Sequence, residues 1–215
     1  MCLHNRYGQF LLNMMREIAD IINEIIPQAD YSHRNGFNNQ PIIDQLDNSE
    51  RLLLEDELIN MIQNNDDLLI AESLAYIKSI KSLNVLKLKL DSVTKPMERI
   101  ILASCIFKIN PSESTKIDIA YDSFIKITDK YVLIGMFYYL AGFNDTRINQ
   151  RIKSYYKHND FLLAYNSKRA MGIDVEIKKI KTGHNKRASR NCGGSWLGKL
   201  IRLLNMKTTG KHKVK

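Results

Sequence analysis

Residues 129–144 read DKYVLIGMFYYLAGFN, and the same design recurs as NDDLLIAESLAYIKS at 65–79, MERIILASCIFKIN at 97–110 and NDFLLAYNSKRAMG at 159–172. Each begins polar or acidic and continues as a dense apolar run. Aligning Asp66, Glu98, Asp129 and Asp160 brings Leu69, Ile101, Val132 and Leu163 into one register, three residues on. Four further come Ser73, Cys105, Met136 and Ser167, mostly small, and another four reach Ile77, Ile109, Leu140 and Met171. The offsets between copies are 32, 31 and 31 residues. Four positions held in register over four copies make a repeat. Spacing by four puts the anchors on one helical face, and the small middle residue admits a neighbouring helix. The acid at each start complements the positive N-terminal end and caps free N–H groups.

Partner helices lie between these segments. Leu54, Leu58, Met61 and Ile62 mark the first, with Asp47 and Glu50 spaced as a capping box. Ile117, Ala120, Phe124 and Ile127 mark the third, and Ile148, Ile152, Tyr155 and Tyr156 the fourth. The second is two-faced. Leu86-Lys87-Leu88-Lys89-Leu90 alternates like a strand, while Leu83, Leu86, Leu90 and Val93 fit a helix, and the repeat context decides for helix. Upstream, Leu11, Met15, Ile18, Ile22 and Ile25 have helical spacing until Pro27 stops them. A polar connection, QADYSHRNGFNNQP at 28–41, follows; its length implies that its own aromatics pack it or that it moves. The expected organisation is an N-terminal helix and connection over 1–46, a repeat domain over 47–175, and a tail over 176–215.

A helix pair that ends in a stretch like LLAYNSKRAMG (162–172) resembles the HEAT repeats of bacterial proteins, in their short variety of about 30 residues. The resemblance covers roughly residues 50–174. It implies an all-α fold, a right-handed α-solenoid of about four helix pairs whose second helices line the concave side. Small HEAT-like bacterial proteins are often adaptors or immunity proteins that neutralise a toxin. The resemblance therefore implies a non-catalytic, protein-binding scaffold. On that concave side, six residues after each anchor come Ala75, Phe107, Tyr138 and Arg169, and seven after come Tyr76, Lys108, Tyr139 and Ala170. Tyr76, Phe107, Lys108, Tyr138, Tyr139 and Arg169 are the candidate partner-binding residues, since aromatic and cationic side chains suit interfaces. The plainer alternative is that several of them pack between repeats.

Composition narrows the function classes. With 44% hydrophobic and 26% charged residues, the 215-residue chain reads as globular, and no apolar run approaches a membrane span. Cys2, Cys105 and Cys192 are too few and too scattered for a disulfide framework, so a reducing cytoplasm is expected. The Ile/Asn/Lys-rich composition suits a bacterium of low GC content. The five histidines show no metal-site spacing, and Cys105, at the small position of a repeat helix, reads as a core thiol. Gly193–Lys199 satisfies GxxxxGK, but Leu200 stands where a phosphate-binding loop needs Ser or Thr for magnesium. No cofactor is implied.

The net charge of +9 is unevenly spread. Residues 176–215 hold twelve Lys/Arg against Glu176 alone, so the first 175 residues carry 20 basic and 22 acidic groups. Lys178, Lys179, Lys181, Lys186, Arg187, Arg190, Lys199 and Arg202 are the candidate polyanion-binding residues of this tail. Trp196, Leu200, Leu203 and Leu204 share one side of a segment suited to nucleic acid, to an anionic membrane surface, or to capping the last repeat. A nucleic-acid-binding protein, such as a HEAT-like DNA glycosylase with a cationic tail and groove, is the alternative class. The near-neutral repeats and the location of the single Trp outside them count against it. The tail is expected to be an appendage. Removing residues after Asp174 should leave the thermal midpoint nearly unchanged and abolish most salt-sensitive affinity for heparin; loss of soluble protein would instead mean that Trp196 caps the stack.

Overall fold

A computed structural model describes residues 18–34 and 36–175, and their regular secondary structure is entirely helical. Eight helices form the body: α1 (Asn48–Asn64), α2 (Leu68–Tyr76), α3 (Leu83–Ser92), α4 (Pro96–Ile109), α5 (Thr115–Phe124), α6 (Lys130–Ala141), α7 (Thr146–Lys153) and α8 (Phe161–Ala170). Ahead of them residues 18–25 are helical, followed by a turn at Tyr31–Arg34 and a short helix at Gln40–Gln45. Leu11 and Met15, the basic tail and the GxxxxGK stretch lie outside the described residues.

Aspartates start most of these helices. Asp47 and Glu50 form the expected capping box on α1, and Asp129, Asp145 and Asp160 accept from the first free N–H groups of α6, α7 and α8. Two of the aligned acids do something else. The cap of α2 is Asp67, whose side chain accepts from Leu69 N, while Asp66 is 96% exposed and pairs with Lys89 at 2.6 Å. At α4, Pro96 opens the helix after an N-cap, Lys95, that makes no side-chain cap, and Glu98 pairs with Lys95 at 2.8 Å. Glu98 lies inside the first turn, at N3, where its charge favours the positive end of the helix without occupying the N-cap position.

The core is organised around α4. Ile100 through Ile106 are all buried, as is Ile109, so this helix is enclosed on every side. It packs against α2, α3, α5 and α6. The second helix of each pair also touches the next in chain order, α2 on α4, α4 on α6 and α6 on α8. Small residues at the shared register, Ser73, Cys105 and Ser167, leave room for this approach and are buried, as is the larger Met136. The leucine–lysine segment is helical in α3, with Leu86 and Leu90 in the core and Leu88 71% exposed, because a helical turn, not a two-residue alternation, faces α4.

The connection at 28–41 is held by polar side chains, neither by its own aromatics nor left loose. Arg34, only 3% exposed, grips Asp67 with both Nη atoms, and its Nε donates to Pro27 O at 2.9 Å. Buried Asn39 donates to Ser73 Oγ at 2.8 Å and to Ile25 O at 3.3 Å. Ile25 and Ile43 join the same core as the repeats. Two outcomes follow by denaturant unfolding. Leu140→Ala or Ile109→Ala should cost about 2–5 kcal/mol, the usual loss for a buried aliphatic, and losses under about 0.5 kcal/mol at both would contradict the packing. Arg34→Met should cost about 3–5 kcal/mol by stranding the Asp67 charge.

Candidate functional site

The row of second helices ends in a cleft of about 470 Å³. One wall is the connection, through Asn38, Asn39 and Gln40, held in place by the Asn39–Ser73 bond. The floor and other walls are Leu69, Glu72, Ala75 and Tyr76 of α2, Lys78 just after it, Lys108 of α4, and Tyr138 and Tyr139 of α6. That volume lies in the range of ligand and side-chain pockets.

Of the six candidates, the cleft gathers Tyr76, Lys108, Tyr138 and Tyr139. Phe107 is turned aside, its ring 5.1 Å from that of Phe143, and Arg169 pairs with Asp174 at 3.2 Å. Tyr139 is 5% exposed, so its ring belongs as much to the helix packing as to the cleft, and its hydroxyl donates to Glu72 Oε1. The Tyr138 hydroxyl donates to Asn166 Oδ1 at 3.0 Å, and that of Tyr76 to the Asp44 carboxylate at 2.8 Å. The Lys108 ammonium sits 5.7 Å from the centre of the Tyr139 ring, within reach of a cation–π attraction. The eight candidates of the basic tail lie outside the described residues.

Three cleft residues escape the repeat alignment. Glu72 occupies the position held by Ser104, Gly135 and Asn166 in the other copies, so a long acid stands where the repeat prefers something short. Its Oε2 is enclosed and has no hydrogen-bond partner among the described residues. Burial raises the Glu72 carboxyl above the ordinary carboxylate range, against the opposing pull of the Tyr139 hydrogen bond and the Lys108 charge. Burial, together with the Glu72 charge, likewise raises the Tyr139 phenol and the Cys105 thiol, so both stay protonated at neutral pH.

Lys78 is the second. Helix α2 closes with paired bonds, Ser79 N to Leu74 O at 3.0 Å and Lys78 N to Ala75 O at 3.3 Å, which force Lys78 to φ +59°. Helix α8 closes the same way, through Ile173 N to Lys168 O and Gly172 N to Arg169 O, with Gly172 at φ +75°. The repeat thus puts glycine at one such end and lysine at the other. A lysine there costs roughly 1–2 kcal/mol relative to a right-handed conformation. Its side chain reaches over the cleft to donate to Lys108 O at 2.6 Å. Asn39 is the third, invisible to the alignment because it lies outside the repeats.

Glu72 sets a pH dependence. Because its folded value is raised, the folded state holds a proton that the unfolded chain has released. Its contribution is fully present below the unfolded value and is lost as pH rises through the folded one. Glu72→Gln carries no such charge. Its stability relative to the native chain should therefore improve as pH rises above the ordinary carboxylate range, measured by urea unfolding; parallel curves would mean that the carboxyl is solvated.

Among the described residues no helix is long and apolar enough to cross a membrane, and no group of three or more His, Cys, Asp or Glu could hold a metal ion. Comparison with known proteins finds no matching family model, no matching curated protein and no matching solved structure.

Proposed function

We propose that the chain is a HEAT-like, right-handed α-solenoid of four helix pairs that holds another protein on the face of its second helices, as an adaptor or a toxin-neutralising immunity protein. The observation that carries this reading is the gathering of Tyr76, Lys108, Tyr138 and Tyr139, from three successive repeat positions, around one cleft. The order of contacts supports the stack, since α2, α4, α6 and α8 touch in sequence and each also meets its own partner helix. A preformed surface of this kind loses little entropy on binding. The chemistry favours binding over catalysis: Cys105 is sealed in the core with its thiolate suppressed, and the tyrosine hydroxyls are committed to Glu72, Asp44 and Asn166.

Affinity capture from the native host with the full chain should return a protein partner. Tyr138→Ala should then weaken binding by about 1–3 kcal/mol, the range of interface anchors, with little change in the thermal midpoint. A large stability loss with unchanged affinity per folded molecule would assign the ring to packing. Salt-steep binding of duplex DNA that survives removal of residues 176–215 would instead favour the nucleic-acid class.

A further inference from the structure

We propose that the cleft receives a carboxylate, carried by an aspartate or glutamate side chain of the partner protein, between Lys78, Lys108 and Glu72. The proposal rests on the protein-binding reading and adds the chemistry of the contact.

Three observations converge. Lys78 holds a left-handed backbone position where the equivalent end of α8 has Gly172, and strain of this kind collects at functional sites. Its ammonium spends one of three donors, on Lys108 O. The Lys108 side chain, exposed at the same cleft, donates no hydrogen bond among the described residues; the Tyr139 ring is its near neighbour. Glu72 lines the same cleft, and its Oε2 is enclosed with no hydrogen-bond partner among the described residues. A buried polar atom left in this way costs free energy until something bonds it.

The occupant must suit all three groups. A cationic group would meet two ammonium groups, and an apolar one would strip water from them and leave their free donors unpaired. A carboxylate accepts from both lysines and, beside a protonated Glu72, meets no opposing charge. Such charge-assisted bonds are among the stronger ones available to proteins. The other groups facing Glu72 do not upset this. Tyr139 and Cys105 stay neutral, and Asp67 is neutralised by Arg34. Binding is thereby tied to pH: affinity falls as pH rises through the raised Glu72 value, because the ionised acid repels the incoming one.

The test uses the full chain and a blocked glutamate (N-acetyl, C-methylamide), titrated by NMR above pH 5 so that the probe stays ionised. Blocked glutamine should bind at least about tenfold more weakly, since it carries no charge. Lys78→Gly and Lys108→Met should each weaken the glutamate by about tenfold or more. Lys78→Gly also removes the left-handed strain, so a loss of binding there is not a loss of fold. Glu72→Gln should bind with affinity that no longer changes with pH. Equal binding of the two probes, unaffected lysine variants, or affinity that rises with pH would each overturn the carboxylate. Binding of free glutarate but not of blocked glutamate would overturn a side chain as its source. A captured partner that binds the Lys78→Gly, Lys108→Met double variant at full strength would overturn this proposal and leave the protein-binding reading intact.

Discussion

Everything in this molecule leans on the burial of α4. A helix apolar around its whole circumference has no stable place in water, so it must be covered by neighbours on each side. Helices α2, α3, α5 and α6 supply that cover, and each hides its own apolar stripe in doing so. No single helix pair among them could enclose α4 alone. Helix α8, the last among the described residues, is covered least there: only Leu163 and Ser167 are buried, and Phe161 is 62% exposed.

Polar groups then decide how the covering elements are aimed. Asp67 caps α2 and also receives Arg34, so one carboxylate both starts a helix and anchors the preceding segment. Asn39 bonds Ser73, whose hydroxyl in turn donates to Leu69 O at 2.7 Å, tying the same segment to the middle of α2. These few bonds make a wall from what would otherwise be a loose crossing. The cleft exists because that wall stands opposite α4 and α6.

Within the cleft, the residues that break the repeat rule are the ones with unspent chemistry. Glu72 puts a carboxyl where other copies have serine, glycine or asparagine, and burial raises it above the ordinary carboxylate range. Lys78 puts a cation where backbone geometry favours glycine. Both departures work against stability, and both project into the same space. Positions that follow the shared register pack the helices, and positions that break it supply a surface with its own electrostatics.

Much of the fold was legible in the chain itself. The 31- and 32-residue offsets, the small residues between apolar anchors and the aspartate starts are local properties, because helical periodicity and capping act within a few turns. The register of Tyr76, Lys108, Tyr138 and Tyr139 was visible for the same reason. Local pattern could not say that Asp67 rather than Asp66 would cap α2, that Arg34 would cross 33 residues to reach it, or that Phe107 would turn toward Phe143 while Lys108 turned toward Tyr139. Nor could it show that Glu72, one acid in an apolar run, would have one carboxyl oxygen enclosed without a partner among the described residues. Those outcomes depend on which groups become neighbours once the helices pack, and on the fall in dielectric that packing brings. Sequence settled which faces are apolar; tertiary structure alone decided which polar groups were shut away from solvent together.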